Sequence, residues 1–309
     1  MATTIPTIKL NTGAHMPQVG LGTWQSEPGE VGQAVTAAIE AGYTHIDGAM
    51  CYQNEKEVGA ALKKLFKDGK IKRENLFYTS KLWNTFHRVD KVAEGFNTTL
   101  SDLGLDYLDL FLVHWPYSFQ PGETLFPKDA NDKIILDSTD IVETWKEMEK
   151  LVDAGKVKAI GVSNFDINAL KHLLANCRIR PAVNQVELHP YLPQPALVNF
   201  CKKEGIAVTA YSPLGSGGEP SLIKDETITK IANAHGKDAG QILISWAVQR
   251  GTIVIPKSVK PSRIQSNLQI IKLSDEEMKE ISSIKTRKRF VDCKSFWSLD
   301  LFKGDTADN

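Results

Sequence analysis

The sequence is short of several things, and each shortage excludes a class of protein. Cysteine comes first: Cys51, Cys177, Cys201 and Cys293 stand far apart, with no CxxC pair and no CxxC…HxxxH spacing. Four thiols in 309 residues make no disulfide framework, and this spacing offers no structural zinc site. Such cysteines pack as small buried hydrophobes; only Cys51 stands beside residues of chemical interest. An excess of charge is missing too. The 37 basic and 37 acidic side chains cancel, so the chain has no cationic footprint for nucleic acid. No apolar run approaches the ~20 residues of a membrane span. The opening, MATTIPTIKL, lacks the charged and apolar regions of a secretory signal, so the expectation is a soluble, cytoplasmic protein. Nucleotide fingerprints fail as well. Gly20-Leu21-Gly22 begins a Rossmann glycine pattern, but Gln25 stands where its third glycine belongs, and no Walker A sequence exists.

What is present is the material of a full-sized core: 42% hydrophobic and 24% charged residues, the balance of a globular protein. Thr7 to Leu10, a turn at Asn11-Thr12-Gly13, and Met16 to Val19 read as a short hairpin. Short apolar runs then alternate with amphipathic stretches. The runs expected as strands are 19–23, 44–47, 76–81, 108–114, 157–162, 182–185, 207–211 and 253–255. Between them, apolar residues recur at helical spacing, as in Val31, Ala34, Val35, Ala38 and Ile39. Eight strands, each followed by a helix, require parallel strands with crossover helices. A doubly wound open sheet and a closed (β/α)8 barrel both satisfy that pattern, and eight units in about 250 residues favour the barrel. No linker divides the chain, so 1–309 reads as one domain. The stretch from Trp115 to about Ser138 and the tail after Lys285 read as loops.

A barrel places its chemistry at the C-terminal ends of its strands. From the second strand onward those ends are Asp47, Lys81, His114, Ser163-Asn164, Gln185, Tyr211-Ser212 and Lys257-Ser258. Each has an ordinary explanation alone. Asp47 can cap a helix, Lys81 can be a solvated loop lysine, and His114 can be a satisfied core histidine. Seven successive polar ends on one rim make a site. Tyr52 lies five residues past Asp47, and a lysine beside a phenol stabilises phenolate and lowers its pKa from about 10. The residues therefore suggest Tyr52 as general acid, Lys81 as its tuner and Asp47 as the group that orients Lys81. A dinucleotide without a Rossmann turn needs another device. Lys257, Ser258 and Arg263, in a cationic loop before the helix opened by Pro261, can grip a phosphate such as a ribose 2′-phosphate; a capped helix with surface cations is the plainer explanation. Tyr211 offers a face for a nicotinamide ring, and Ser163, Asn164 and Gln185 match its carboxamide.

Five segments carry a resemblance that spans essentially the whole chain: Gly20-Leu21-Gly22-Thr23-Trp24, His45-Ile46-Asp47-Gly48-Ala49-Met50-Cys51-Tyr52, Leu112-Val113-His114-Trp115-Pro116, Gly161-Val162-Ser163-Asn164-Phe165 with Asn184-Gln185, and Ile255-Pro256-Lys257-Ser258. With them the sequence resembles the aldo-keto reductases, nearest the glycerol dehydrogenase and glyceraldehyde reductase branch beside the aldose and aldehyde reductases. The resemblance implies the (β/α)8 barrel with an N-terminal hairpin. It implies a catalytic tetrad of Asp47, Tyr52, Lys81 and His114, with hydride passing from NADPH to a carbonyl carbon. His114 would orient the carbonyl oxygen. It further implies cofactor contacts at Gly22, Thr23, Trp24, Asp47, Ser163, Asn164, Gln185, Tyr211, Ser212, Leu214, Ser216, Lys257, Ser258, Arg263 and Asn267. Two features depart from the family pattern: Ser266 stands where an acidic residue often precedes the asparagine, and Gly48 and Met50 are unusual within the Asp-to-Tyr stretch.

Trp24, Trp83, Trp115 and Trp297, with Tyr52 and His114, are expected to wall the carbonyl pocket, although aromatics also dominate cores. Phe119 and Phe296 would close it. Small hydroxyaldehydes such as glyceraldehyde are the expected substrates, with aldoses, uronates and aromatic aldehydes as rivals, and the chain is expected to be monomeric. Two other functions fit the residues: a Schiff-base aldolase with Lys81 as nucleophile, and an NADPH-binding sensor or scaffold without turnover. The basic cluster 285–289 reads as a solvated segment rather than a nuclear signal.

Overall fold

A computed structural model describes residues 5–299 and 302. The chain opens with an antiparallel hairpin of β1 (Thr7–Lys9) and β2 (His15–Pro17), Ile8 opposite Met16. Leu10 and Met16 pack with Leu110, Leu112, Ala159 and Ile253 from the strand interiors, so the hairpin plugs the bottom of the barrel.

Eight parallel strands follow in chain order: β3 (Leu21–Gly22), β4 (His45–Asp47), β5 (Phe77–Leu82), β6 (Leu108–Val113), β7 (Val157–Ser163), β8 (Val183–Glu187), β9 (Ala207–Tyr211) and β10 (Ile253–Val254). The first meets the last. Val19 bridges Val254, Gly22 bridges Lys257, and Val254 N donates to Gln18 O at 2.7 Å, which closes a (β/α)8 barrel. The strands lie within a residue or two of the apolar runs. Their alternation sorts the core: Leu110 and Leu112 of β6 face inward, while Phe111 and Val113 pack on the helical layer.

The helices covering the barrel are α1 (Val31–Ala41), α2 (Glu55–Lys67), α3 (Val92–Leu103), α4 (Ile141–Asp153), α5 (Ile167–Asn176), α6 (Pro195–Lys203), α7 (Glu226–His235), α8 (Ala239–Gln249) and α9 (Pro261–Asn267). In α1 the residues at i, i+3, i+4, i+7 and i+8 are the buried ones, and Gly42 ends the helix at φ 104°, a left-handed conformation that resists a Cβ. α10 (Asp275–Ser282) is started by a capping box between Ser274 and Glu277.

The tail corrects an expectation. Residues 293–297 form a short helix, α11 (Cys293–Trp297), where a loop was expected. Asp292 caps it by accepting from Lys294 N, and Cys293 and Trp297, four apart, bury one face among the rim aromatics. The 115–138 connection is a loop as expected, stiffened by antiparallel bridges Phe119–Leu136 and Lys128–Ile134. Among the described residues, no helix is long and apolar enough to cross a membrane.

Two predictions concern stability. A Cβ on Gly59, inside α2, would sit 2.6 Å from the backbone carbonyls of both Asp102 and Leu103 at the end of α3. Backbone cannot yield as a side chain does. Gly59→Ala therefore loses about 1–3 kcal/mol to overpacking, more than the ~1 kcal/mol of helix propensity it gains. Urea unfolding should show a lower midpoint; an unchanged or raised midpoint would refute the close α2–α3 packing.

The second follows from buried histidines. Burial holds His45 down to about 4 and His87 to about 3, and His114 lies well below 6.5. Unfolded, each takes a proton near 6.5, so stability is lost as pH falls from 6.5 towards 4. Glu55, pushed up to about 7 by burial, acts oppositely between 4.5 and 7 and offsets one of the three. Urea titrations at pH 6.5 and 5 should find stability falling on the order of 1 kcal/mol per pH unit per net proton, and a shallower slope in His87→Asn.

Candidate active site

The polar strand ends meet at the C-terminal rim. Asp47 closes β4, and the turn after it passes through Gly48 into a single 3-10 turn, Met50–Tyr52. A Cβ on Gly48 would come 2.5 Å from the Tyr78 hydroxyl, so glycine is what allows this turn to pass over β5. The turn delivers Tyr52 back over the barrel mouth. Lys81 comes from the end of β5, and His114 follows β6 directly.

One cation organises this corner. Lys81 Nζ donates to Asp47 Oδ1 at 2.6 Å, to Gly48 O at 2.9 Å and to the Tyr52 oxygen at 3.2 Å. All three ammonium protons are used. Asp47 Oδ2 accepts from Gln185 Nε2 at 2.7 Å, so β8 is tied into the same group. The Asp47 and Lys81 side chains are 1% and 0% exposed, which makes this a dry ion pair with every partner supplied. Tyr52 accepts from Lys81, while its own proton is given to no described residue. The His114 ring lies edge-on to Tyr52 at 6.0 Å between centroids, its Nδ1 3.5 Å from Cys51 Sγ. His114 Nε2 has no partner among the described residues.

The electrostatics correct one expectation. Lys81 was expected to lower the Tyr52 pKa. Instead burial pushes the phenol well above 10, and the negative field of Asp47 raises it further. Asp47 lies against Lys81 and cancels much of its charge as seen from the phenol. Tyr52 therefore keeps its proton across the neutral range. Burial, aided by the charges of Lys81 and His87, holds His114 well below 6.5 as a neutral imidazole. Burial also keeps the Cys51 thiol protonated. With its proton kept, the Cys51 thiol can donate to Nδ1, and that tautomer puts the imidazole proton on Nε2, which has no partner among the described residues.

A second group joins strands β7 to β9. Ser163 Oγ donates to Gln185 O at 2.8 Å, Asn164 Nδ2 donates to His114 O at 3.0 Å, and Tyr211 donates to Asn164 Oδ1 at 2.8 Å. Ser163, Asn164, Gln185 and Tyr211 thus come together as the sequence suggested. Much of their bonding capacity is spent on one another and on the tetrad. Beyond β9, Ser212 and Ser216 both adopt left-handed backbone and share a hydrogen bond of 2.7 Å, with Leu214 between them. Lys257 reaches across the closing seam to Gln25 O at 2.9 Å, which links the Gly22-Thr23-Trp24 exit of β3 to the loop after β10. Ser258 is largely buried and accepts from Lys260 N, while Asn267 is buried at the end of α9. Arg263 is exposed, with no ion pair among the described residues. This donor set fits a phosphorylated dinucleotide: cations and hydroxyls along one seam, leading to a tyrosine ring beside the tetrad.

Three of the four tryptophans expected in the wall come together. Trp83, Trp115 and Trp297 cluster with Phe119 and Cys293, and Trp83 lies 5.2 Å from the His114 ring; Trp24, expected in the same wall, is exposed and lies outside this cluster. The Phe296 side chain lies outside the described atoms. A cavity of about 230 Å³ opens at the opposite end, lined by His15, Thr44, Glu74 and Lys158. It holds none of the polar strand ends, which gather at the rim instead. Three residues went unread. Glu55 lies behind Lys81 and accepts from Ser80 at 2.6 Å. Glu187 ends β8 two residues beyond Gln185, and His189 follows at the same interval; this period of two was the available signal. Cys51 was noted only as a neighbour.

A closed barrel whose rim gathers the buried Asp47–Lys81 pair, Tyr52 and His114, with Lys257 on the closing seam, fits an oxidoreductase of the carbonyl-reducing kind. Residues 18–286 match the Aldo/keto reductase family, and the chain belongs to that family. It is 48% identical to Aldose reductase B of Dictyostelium discoideum over 305 residues, covering 96% of this chain and 98% of that protein. It is 49% identical to Aldo-keto reductase family 1 member A1-A of Danio rerio over 295 residues, covering 92% and 91%. The fold superposes on the aldose reductase structure from Schistosoma japonicum with a TM-score of 0.93, at 43% identity, across 98% of this chain and 100% of that one.

Asp47→Asn tests the ion pair. Removing the carboxylate charge leaves Lys81 buried without its counter-ion, which should destabilise the fold by about 3–5 kcal/mol. Thermal and urea unfolding measure this; a loss under 1 kcal/mol would mean that Lys81 is hydrated rather than dry.

Proposed function

We propose that this protein reduces aldehydes to alcohols with NADPH, using Tyr52 as the proton donor. The single observation that carries the reading is the state of the Tyr52 hydroxyl. Its oxygen accepts from a lysine whose other two protons are occupied, burial pushes its pKa well above 10, and its own proton has no acceptor among the described residues.

The nicotinamide supplies the hydride when the cofactor is bound. The chain's own residues do the rest. His114, neutral and protonated on Nε2, donates to the carbonyl oxygen and fixes its direction. As negative charge grows on that oxygen, Tyr52 gives up its proton. The phenolate that forms is stabilised by Lys81, already within 3.2 Å. Asp47 holds the ammonium in place throughout, and Gln185 holds Asp47. Lys257, Ser258 and Arg263 would hold the phosphates of the cofactor, with Ser212, Leu214 and Ser216 along the pyrophosphate and Asn267 by the adenine. Ser163, Asn164, Gln185 and Tyr211 would hold the nicotinamide. Trp24, Trp83, Trp115 and Trp297 would exclude water from the reacting carbonyl. Small hydroxyaldehydes such as glyceraldehyde remain the favoured substrates. The reading includes a monomer, acting in the cytoplasm, with 1–309 as one domain.

A Schiff-base aldolase needs Lys81 as a neutral amine with a free lone pair. An ammonium that spends three protons on Asp47, Gly48 and Tyr52 is the opposite state. A sensor without turnover would have no use for a complete proton-transfer set.

Tyr52→Phe should lower aldehyde turnover by about 10²- to 10⁴-fold while NADPH binding, followed by fluorescence, survives. Full turnover in this variant would remove Tyr52 from the mechanism. The pH dependence has a definite sign. Reduction needs the phenol and should hold steady through pH 6–8. Alcohol oxidation needs phenolate and should rise steadily towards and beyond pH 10, since burial places the phenol above its ordinary value. An oxidation plateau near pH 7 would contradict this assignment.

A further inference from the structure

Glu187, the last residue of β8, is a fully buried carboxylate that the proposed chemistry does not use. It spends itself on the tail. Its Oε1 accepts from Phe290 N at 2.7 Å and lies 2.9 Å from His189 Nε2; its Oε2 accepts from Val291 N at 2.9 Å. Lys288 N adds a bond to Tyr191 O at 3.0 Å, so residues 288–291 lie fastened along the rim.

The two residues held by Glu187 serve different halves of the site. Phe290 packs beneath the loop after β9. A Cβ on Gly218 would come 2.5 Å from its ring, and one on Gly215 would come 3.2 Å from it. These glycines lie in the loop that begins at Ser212 and contains Ser216. Val291 packs into the cluster of Trp83, Trp115, Trp297 and Cys293 that forms the aromatic wall. Glu187 is also the register partner of Tyr211, so its strand position is fixed against the tyrosine of the nicotinamide group. One carboxylate therefore holds two neighbouring tail residues, one packed against the aromatic cluster and the other against the 212–218 loop.

We propose that Glu187 is a positioning residue that couples the carbonyl pocket to the cofactor loop, so that loss of its clamp weakens both ligands together. The ligand side of this inference rests on the NADPH-dependent reading above. The clamp itself does not. Removing one acceptor oxygen leaves two backbone N–H groups and an imidazole competing for the other, and whichever loses frees the tail.

The experiment begins with amide exchange on the ligand-free protein. In Glu187→Gln, peptides covering 212–218 and 288–297 should both exchange about tenfold faster, the effect of losing one charge-assisted hydrogen bond, while β4 to β6 are unchanged. Acceleration confined to the tail would overturn the coupling. Kinetics follow: KM for glyceraldehyde and Kd for NADPH should both rise about five- to tenfold, kcat at saturation should stay within about twofold, and Glu187→Asp should recover part of the loss. A lower melting temperature with KM and Kd unmoved would show a merely structural carboxylate and overturn the proposal. If Glu187→Gln fails to fold, Phe290→Ala keeps the carboxylate and its backbone bonds but removes the ring beneath the loop. It must raise both constants, and raising neither overturns the coupling. A wild-type protein that binds no NADPH would end the functional reading, and the exchange result would still decide the clamp.

Discussion

The site depends on a buried ammonium with no proton to spare. Lys81 is sealed by Asp47, Gly48 and Tyr52, and the Asp47 carboxylate is in turn completed by Gln185. Breaking such a pair is far more damaging than forming it is favourable, because the survivor is left charged in a dry interior. Three strands, β4, β5 and β8, must keep their mutual register to maintain it. That requirement ties the proton-transfer set to barrel closure. A one-residue slip of any strand would turn these side chains to the helical face.

The electrostatic consequence runs against a simple expectation. A lysine next to a tyrosine suggests an acidified phenol, yet burial, with Asp47 adding to it, pushes the Tyr52 pKa well above its ordinary value. Asp47 cancels the lysine field at the resting phenol, and burial does the rest. Such a phenol suits reduction. In the proposed reduction it would keep its proton until the substrate oxygen becomes basic, and the nearby ammonium would then stabilise the charge left behind. A neutral His114 beside it adds a hydrogen-bond donor without adding charge.

Much of this was legible in the sequence. Alternation of apolar runs with helical periodicity yields eight strands and the hairpin, and strand ends in such a barrel are where side chains meet; Asp47, Lys81, His114 and Gln185 could be read that way. Tyr52 was legible from its motif, and its direction of titration was not, because pKa depends on what surrounds the phenol in three dimensions. Glu187 escaped because the strand was ended at Gln185, although alternation continues through His189. The helix 293–297 escaped because its stability comes from the aromatic cluster it packs on rather than from its own five residues.

The central claim is that hydride reaches a carbonyl at this rim. Its most direct measurement is a single turnover of glyceraldehyde with NADPH carrying deuterium at the transferable C4 position, with the glycerol analysed by mass spectrometry. The account predicts one deuterium on the former carbonyl carbon of the product. Glycerol without the label, or no glycerol at all from aldehyde and cofactor together, would contradict it.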